Sequence, residues 1–303
     1  MEIQQTPRSA LITGATGFVG SRLAVRLARD GWRVSALVRP ESSPASLQAA
    51  VPSLAMLRYD GTTNGMIELL RQARPDIVFH LASLFIAEHS PADVEALVRS
   101  NILFGCQLAE AMAANHNRLL INTATSWQQD DAGYAPVNLY AATKQAYEDI
   151  LAYYCSAHGL RVTTLALFDT YGPDDPRKKL LSILGHAMRS GEPLSLSPGR
   201  QLIDLVYIDD VVDAYVHCAE LLPLQENWHL RYGISSGQPR SLRDIVGLIE
   251  ATVDVTLPVR WGDRAYRARE VMIPWTRSTP PPGWVPKIPL ELGIARTLKA
   301  GFD

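Results

Sequence analysis

Apolar residues fall into two alternating patterns along this chain. Short runs without a polar face, SALIT (9–13), RVSALV (33–38), DIVFHLAS (76–83), RLLINTAT (118–125) and RVTTLALF (161–168), have the length and composition of buried strands. Between them lie stretches in which apolar residues return every three or four positions: VGSRLAVRLARDG (19–31), a long helix from Asp93 to Asn115, and the segment around Tyr140. Strand-length and helix-length patterns that alternate in this way predict right-handed βαβ crossovers. The fold class is therefore α/β, a doubly wound parallel sheet with helices on both faces. After Tyr171 the alternation breaks into Pro- and Gly-rich loops, a helix near 178–190, a strand and helix in LVYIDDVVDAYVHCAELL (205–222) and the helix SLRDIVGLIEA (241–251). TRSTPPPGWVPKIP (276–289) reads as a rigid extended connection into a last short helix. These patterns predict a first domain over 1–171 with a return to its sheet near 202–222, and a smaller C-terminal α/β domain over most of 172–303.

The loop GATGFVG (14–20) follows the first strand directly and opens a helix. In that setting Gly14 turns the chain tightly, Gly17 lets backbone approach a pyrophosphate, and Gly20 permits close helix packing. The helix start points its N–H groups at the anion. The end of the second strand then bears on which dinucleotide is bound. A carboxylate there accepts hydrogen bonds from the ribose hydroxyls, but RVSALVRP places Arg39 at that point. A guanidinium clamps a 2′-phosphate that a carboxylate would repel, so NADP(H) is the expected cofactor. Asp60, after the third strand in LRYDG, is placed to contact the adenine amino group.

The segment NLYAATKQAYEDI (138–150) holds Tyr140 and Lys144, in a chain with only five lysines. Four-residue spacing puts both on one face of a helix. Reduction of a ketone needs a proton donor at the developing alkoxide, and a phenol of pKa ~10 serves near neutrality when a cation lowers that value. The strand before this helix ends in hydroxyls, Thr123, Thr125 and Ser126, one of which would hold the carbonyl oxygen.

TGATGFVG, DIVFHLAS, YAATK, FDTYGP, LVYIDDVVDA and YGISSG occur in that order along the chain. With them the chain resembles the extended short-chain dehydrogenases/reductases, the NAD-dependent epimerase/dehydratase group, over essentially its whole length. The resemblance implies a Rossmann domain that binds cofactor through Gly14, Thr16, Gly17, Phe18, Val19, Gly20, Arg39, Asp60, Leu81 and Ala82. It implies Tyr140 as catalytic acid/base, Lys144 as the cation that also binds the nicotinamide ribose, and Thr125 as the hydroxyl partner, with Thr123 and Ser126 as neighbouring alternatives. Asn101 resembles a helix Asn that supports the active-site Lys through solvent.

Within the group, dehydratases resemble one another in an Asp-Glu pair directly after the hydroxyl residue. Here those places hold Ser126 and Trp127, so elimination lacks its acid and base. Epimerases keep bound NAD and an acid where Arg39 stands. NTATSWQ, NLYAATKQAYED and FDTYGPDDPRKKL resemble most the 4-ketoreductases of the CDP-abequose and CDP-paratose synthase type. That likeness implies NADPH-dependent reduction of a nucleotide-linked 4-keto-6-deoxyhexose, with a sugar-nucleotide epimerase as the alternative. In DDPRKKL (174–180) Asp175 reads as a helix N-cap and Pro176 as the first helical residue, which leaves Arg177, Lys178 and Lys179 in the first turn. Cations there oppose the helix dipole by roughly 0.3–1 kcal/mol each, a conflict that a substrate diphosphate removes. Ser83, Thr125, Ser126, Arg200 and Tyr207 complete the expected substrate contacts.

Composition narrows the partners. A net charge of −2 gives no footprint for nucleic acid or anionic membrane, and no window reaches the roughly 20 apolar residues of a membrane span. The start MEIQQTPRSALIT lacks a signal-peptide pattern. Cys106, Cys155 and Cys218 stand far apart, which suggests neither disulfides nor a metal site and fits the cytoplasm. GISSG (233–237) matches a serine-hydrolase elbow, but the last His, His229, precedes it, against the chain order of that fold. A non-catalytic NADPH-sensing regulator on the same fold is a further alternative, opposed by the retained Tyr and Lys. Apolar residues on two sides of the helices 93–115 and 138–157, among them Leu103, Phe104, Leu108, Tyr147, Leu151 and Tyr154, predict a homodimer.

Overall fold

The computed structural model describes residues 8–40 and 42–299; most of the leading stretch read for a signal peptide lies outside them. The chain divides into two compact units. One comprises the residues up to Thr125 with Asn138–Ala166 and Val212–Tyr232, the other Ser126–Val137, Leu167–Val211 and the residues from Gly233 onward.

The first unit is built on a seven-stranded sheet. Its strands include β1 (Ser9–Thr13), β2 (Arg33–Val38), β3 (Ala55–Arg58), β4 (Ile77–His80) and β5 (Leu119–Thr125). The order from one edge is 229–234, 161–167, β5, β4, β1, β2, β3. β1 pairs parallel with both β2 and β4, and β4 with β5, in the order that doubly wound crossovers produce. All five residues of β1 and all four of β4 are buried, which is why their sequences carry no polar face. Leu11, Met66, Val78, Leu108, Leu120 and Leu151 close the core on one face of the sheet.

The helix expected as one regular element from Asp93 to Asn115 is interrupted. An α-helix at Val94–Val98 passes into a π turn at Arg99–Leu103 and resumes as α at Phe104–Ala114. A π turn holds one residue more than an α turn, and such turns recur at functional sites. Here the turn contains Asn101, whose side chain is buried.

The second unit carries short pairings. Asp169–Tyr171 runs parallel with Leu205–Tyr207, and Leu202–Ile203 antiparallel with Arg240–Ser241. Leu180–Ser190, Leu242–Val253 and Leu290–Lys299 are its helices. The first of these corrects the sequence reading. The helix begins at Leu180, not after Asp175: the Asp175 carboxylate accepts from the Arg177 backbone N–H at 3.0 Å and from its Nε at 2.7 Å, but the Lys179 N–H then bonds the Arg177 carbonyl two residues back at 2.8 Å and does not continue a helical ladder. Asp174 meanwhile sits at positive φ. Lys179 is thus the N-cap residue, Arg177 and Lys178 precede it, and none of the three lies in the first turn of the helix.

Candidate cofactor and catalytic site

The glycine loop links β1 to helix α1 (Phe18–Arg29). Gly14 has φ +70°, and a Cβ there would lie 2.6 Å from the Ala82 nitrogen and 2.7 Å from the Leu81 carbonyl carbon. Only glycine fits both the turn and the close approach to the end of β4. A Cβ on Gly20 would collide with the Gly14 carbonyl oxygen, so helix and loop sit in direct backbone contact. No side chain caps α1, whose N-cap is Gly17. This cradle fits a dinucleotide pyrophosphate, which a helix N-terminus without a capping side chain receives through backbone N–H groups.

Around it, Thr13 ties strand ends together. Its hydroxyl accepts from the Ala82 N–H at 3.1 Å and shares a 2.8 Å hydrogen bond with Nδ1 of His80. Arg39 is exposed just past β2. Asp60 is exposed, and its carboxylate accepts from the Thr62 N–H at 2.8 Å and the Thr62 hydroxyl at 2.9 Å, which holds the acid below the usual carboxylate range.

Tyr140 and Lys144 lie in the first turns of the helix Leu139–His158. Asn138 caps this helix by accepting from the Ala141 N–H at 2.9 Å, while its amide donates to the Ala87 carbonyl at 3.0 Å. The cap thereby anchors the turn that carries Tyr140 to the chain after β4. Asn101 adds a second anchor. It accepts from the Leu84 N–H at 2.8 Å and the Ser83 hydroxyl at 3.2 Å, and donates to the Leu84 carbonyl at 3.0 Å. The ring of Phe85 stands edge-on to that of Tyr140, centroids 5.0 Å apart.

Lys144 is almost wholly buried. Burial pulls its pKa down to about 8, against an opposing pull from Glu148. Thr125 and Ser126 are both buried at and just past the end of β5. The Thr123 hydroxyl shares a 2.6 Å hydrogen bond with Tyr215, whose phenol burial pushes up. Thr123 is therefore committed to an internal partner.

In the second unit, Arg177 binds Asp175 through two nitrogens and donates to the Thr170 carbonyl at 2.9 Å. Lys179 Nζ lies 3.7 Å from Asp169 and 5.7 Å from the Trp127 ring centroid. Arg200 is exposed, whereas Tyr207 is buried with its ring edge-on to Tyr171. In the GISSG loop, Ser235 donates to the buried Asp204 at 2.6 Å.

Sequence reasoning overlooked Asn138, Phe85, His80, Glu148 and Arg231. A carboxylate one turn after the lysine was the available signal for Glu148. No local signal marked Arg231.

Residues 10–228 match the sequence profile of the NAD dependent epimerase/dehydratase family. The chain belongs to that family. It is an NAD(P)-dependent enzyme of oxidoreductase type. Among epimerase/dehydratase relatives, it is 28% identical to a UDP-glucose 4-epimerase of Mycolicibacterium smegmatis over 95% of this chain and 97% of that protein. It is 27% identical to a CDP-abequose synthase of Yersinia pseudotuberculosis over 87% of this chain and 90% of that protein. The solved structure of MoeE5 in complex with UDP-glucuronic acid and NAD superimposes with a TM-score of 0.83 over 97% of this chain and 99% of that one, at 24% identity, a likeness of fold. Among the described residues no helix is long and apolar enough to cross a membrane, and no group of three or more side chains is placed to hold a metal ion.

Proposed function

We propose that this sugar-nucleotide-modifying enzyme is an NADPH-dependent reductase of the 4-keto group of a nucleotide-linked 4-keto-6-deoxyhexose. The observation that carries the reading is the exposed guanidinium of Arg39 just past β2, where it suits a 2′-phosphate and thus a cofactor exchanged at every turnover. A bound reduced nicotinamide supplies the hydride. The chain's own residues manage the oxygen: Tyr140 donates the proton, Thr125 holds the carbonyl oxygen by a hydrogen bond, and Lys144 places a cation one turn from the phenol and reaches the ribose. Ser126 and Trp127 offer no carboxylates for elimination.

Residues 1–171, with the return near 202–222, form the NADP-binding part in this reading, and 172–303 mainly bind the sugar nucleotide. Arg177, Lys178, Lys179 and Arg200 supply cations for its diphosphate. Exposed Val94, Val98, Leu103 and Tyr153 give the helices of the first unit an apolar surface that suits a two-fold homodimer. Three free cysteines suit the cytoplasm.

A second reading, sugar-nucleotide 4-epimerase, is favoured by the 28% identity to a UDP-glucose 4-epimerase over nearly the whole chain. NADPH consumption with a panel of 4-keto-6-deoxyhexose nucleotides, with the sugar product identified, decides between them. Net oxidation of NADPH supports the reductase. Interconversion of hydroxyl epimers without net redox change overturns it.

A further inference from the structure

The helix Leu139–His158 carries Lys144 and Glu148 one turn apart, and both side chains are buried. The edge strand His229–Ile234 brings a second cation to the same carboxylate: Arg231 Nε lies 3.8 Å from Glu148 Oε2. That separation is within ion-pair range and beyond hydrogen-bond distance, so the hold is Coulombic. Two histidines complete the surroundings. His229, on the same strand, shares a 2.8 Å hydrogen bond through Nε2 with Thr164, and His80, on β4, is fully buried.

Charges removed from water depend on one another for stabilisation, because burial costs each of them several kcal/mol. Here two cations draw on one carboxylate. We infer that Arg231 is a positioning residue for Lys144: it competes for the Glu148 carboxylate and so sets the charge that Lys144 presents to a bound cofactor. The inference rests on the role given to Lys144 above and extends it to a residue 87 positions away in the chain.

The directions of the neighbouring equilibria agree with this geometry. Burial pulls Lys144 down and Glu148 pulls it back up. Burial also lowers Arg231, again opposed by Glu148. His229 is lowered by burial first, then raised by Glu148 and lowered by Arg231. Each cation responds to the same acid. His80 is held well below its ordinary value by burial and by Lys144, so it adds no competing positive charge near neutrality.

The test reads Lys144 directly. With only five lysines in the chain, lysine labelled with carbon-13 at the ε position gives a sparse spectrum, and Lys144→Met assigns the signal. The titration midpoint in the full-length parent is expected near 8. Arg231→Met should raise it by ~0.5–1 unit, since the carboxylate then acts on Lys144 alone and a like charge is gone. Glu148→Gln should lower it by a comparable amount, and Arg231→Lys should hold the parental value. In Glu148→Gln/Arg231→Met, loss of the arginine should shift the midpoint less than it does with the acid present, the signature of competition. The pH midpoint of NADPH binding should move in the same directions. Weaker NADPH binding at every pH with an unmoved Lys144 midpoint in Arg231→Met would mean a purely structural role and would overturn the inference. If Arg231→Met does not fold, Arg231→Gln takes its place: a raised Lys144 midpoint supports the inference and a parental one overturns it. The titration needs no sugar substrate, so absence of ketoreduction would sink the proposed function and leave this measurement standing.

Discussion

The side-chain amide of Asn101 donates to the hydroxyl of Thr143 at 3.0 Å, and Thr143 in turn donates to the backbone carbonyl of Tyr140 at 2.7 Å. A residue in a π turn thereby reaches the backbone of the turn that carries Tyr140 through one intermediary. Asn101 also saturates the Leu84 backbone from both sides. Removal of the amide takes a partner from the half-buried Leu84 backbone and from the buried Thr143 hydroxyl at once, so Asn101→Ala should lower stability by about 1–3 kcal/mol. It should also lower turnover, because the position of Tyr140 is loosened. Chemical denaturation and steady-state kinetics measure the two effects.

Tyr140→Phe removes the phenol hydroxyl proposed as the proton donor. Turnover should fall by about 10²–10⁴-fold with NADPH affinity nearly unchanged. Lys144→Ala should impair both, because the role proposed for that residue covers chemistry and cofactor alike. Near-parental turnover in Tyr140→Phe would show that the acid is another group.

The buried lysine links stability to pH with a definite sign. The ordinary pKa of a lysine side chain is 10.5, and that of Lys144 is about 8 in the folded protein. Between those values the unfolded chain binds a proton that the folded chain has released, so this residue's contribution to stability grows as pH rises from about 8 to 10.5 and is lost as pH falls back through 8. The slope approaches about 1.4 kcal/mol per pH unit at most. Lys144→Met should abolish that increment, seen as a smaller difference between unfolding free energies at the two ends of the window. Cofactor affinity should run the other way in the parent, weakening as the ammonium is lost.

Cofactor choice tests the role proposed for Arg39. The parent should bind NADPH more tightly than NADH, and Arg39→Asp should narrow or reverse the preference, since a carboxylate repels the 2′-phosphate and accepts from the ribose hydroxyls. Fluorescence titration with both cofactors measures it, and equal parental affinities would refute the assignment.

The parallel sheet, the glycine loop and the tyrosine helix were legible because each rests on a local pattern: unbroken apolar runs, glycines between strand and helix, and four-residue spacing. Features that depend on one side chain overruling its neighbours were not. Asp175 had the residue type of an N-cap, yet its carboxylate is held by Arg177, two positions on, and the helix starts later. Thr123 and Thr125 are alike on the strand, and only the approach of Tyr215 from 92 positions away separates them. Arg231 and Glu148 are likewise joined by tertiary packing alone. The π turn left no trace in the apolar spacing along the chain.

That turn makes the length of the chain matter where its composition does not. A π turn takes one residue more than an α turn to go once round, so deleting a single position between Arg99 and Leu103 would let the hydrogen-bond ladder close as an unbroken α-helix whose two halves keep nearly their present bearing. What such a deletion removes is the bulge, and with it the place from which Asn101 reaches Leu84 and Thr143. The helix would survive, and the hold on the turn that carries Tyr140 would be what is lost.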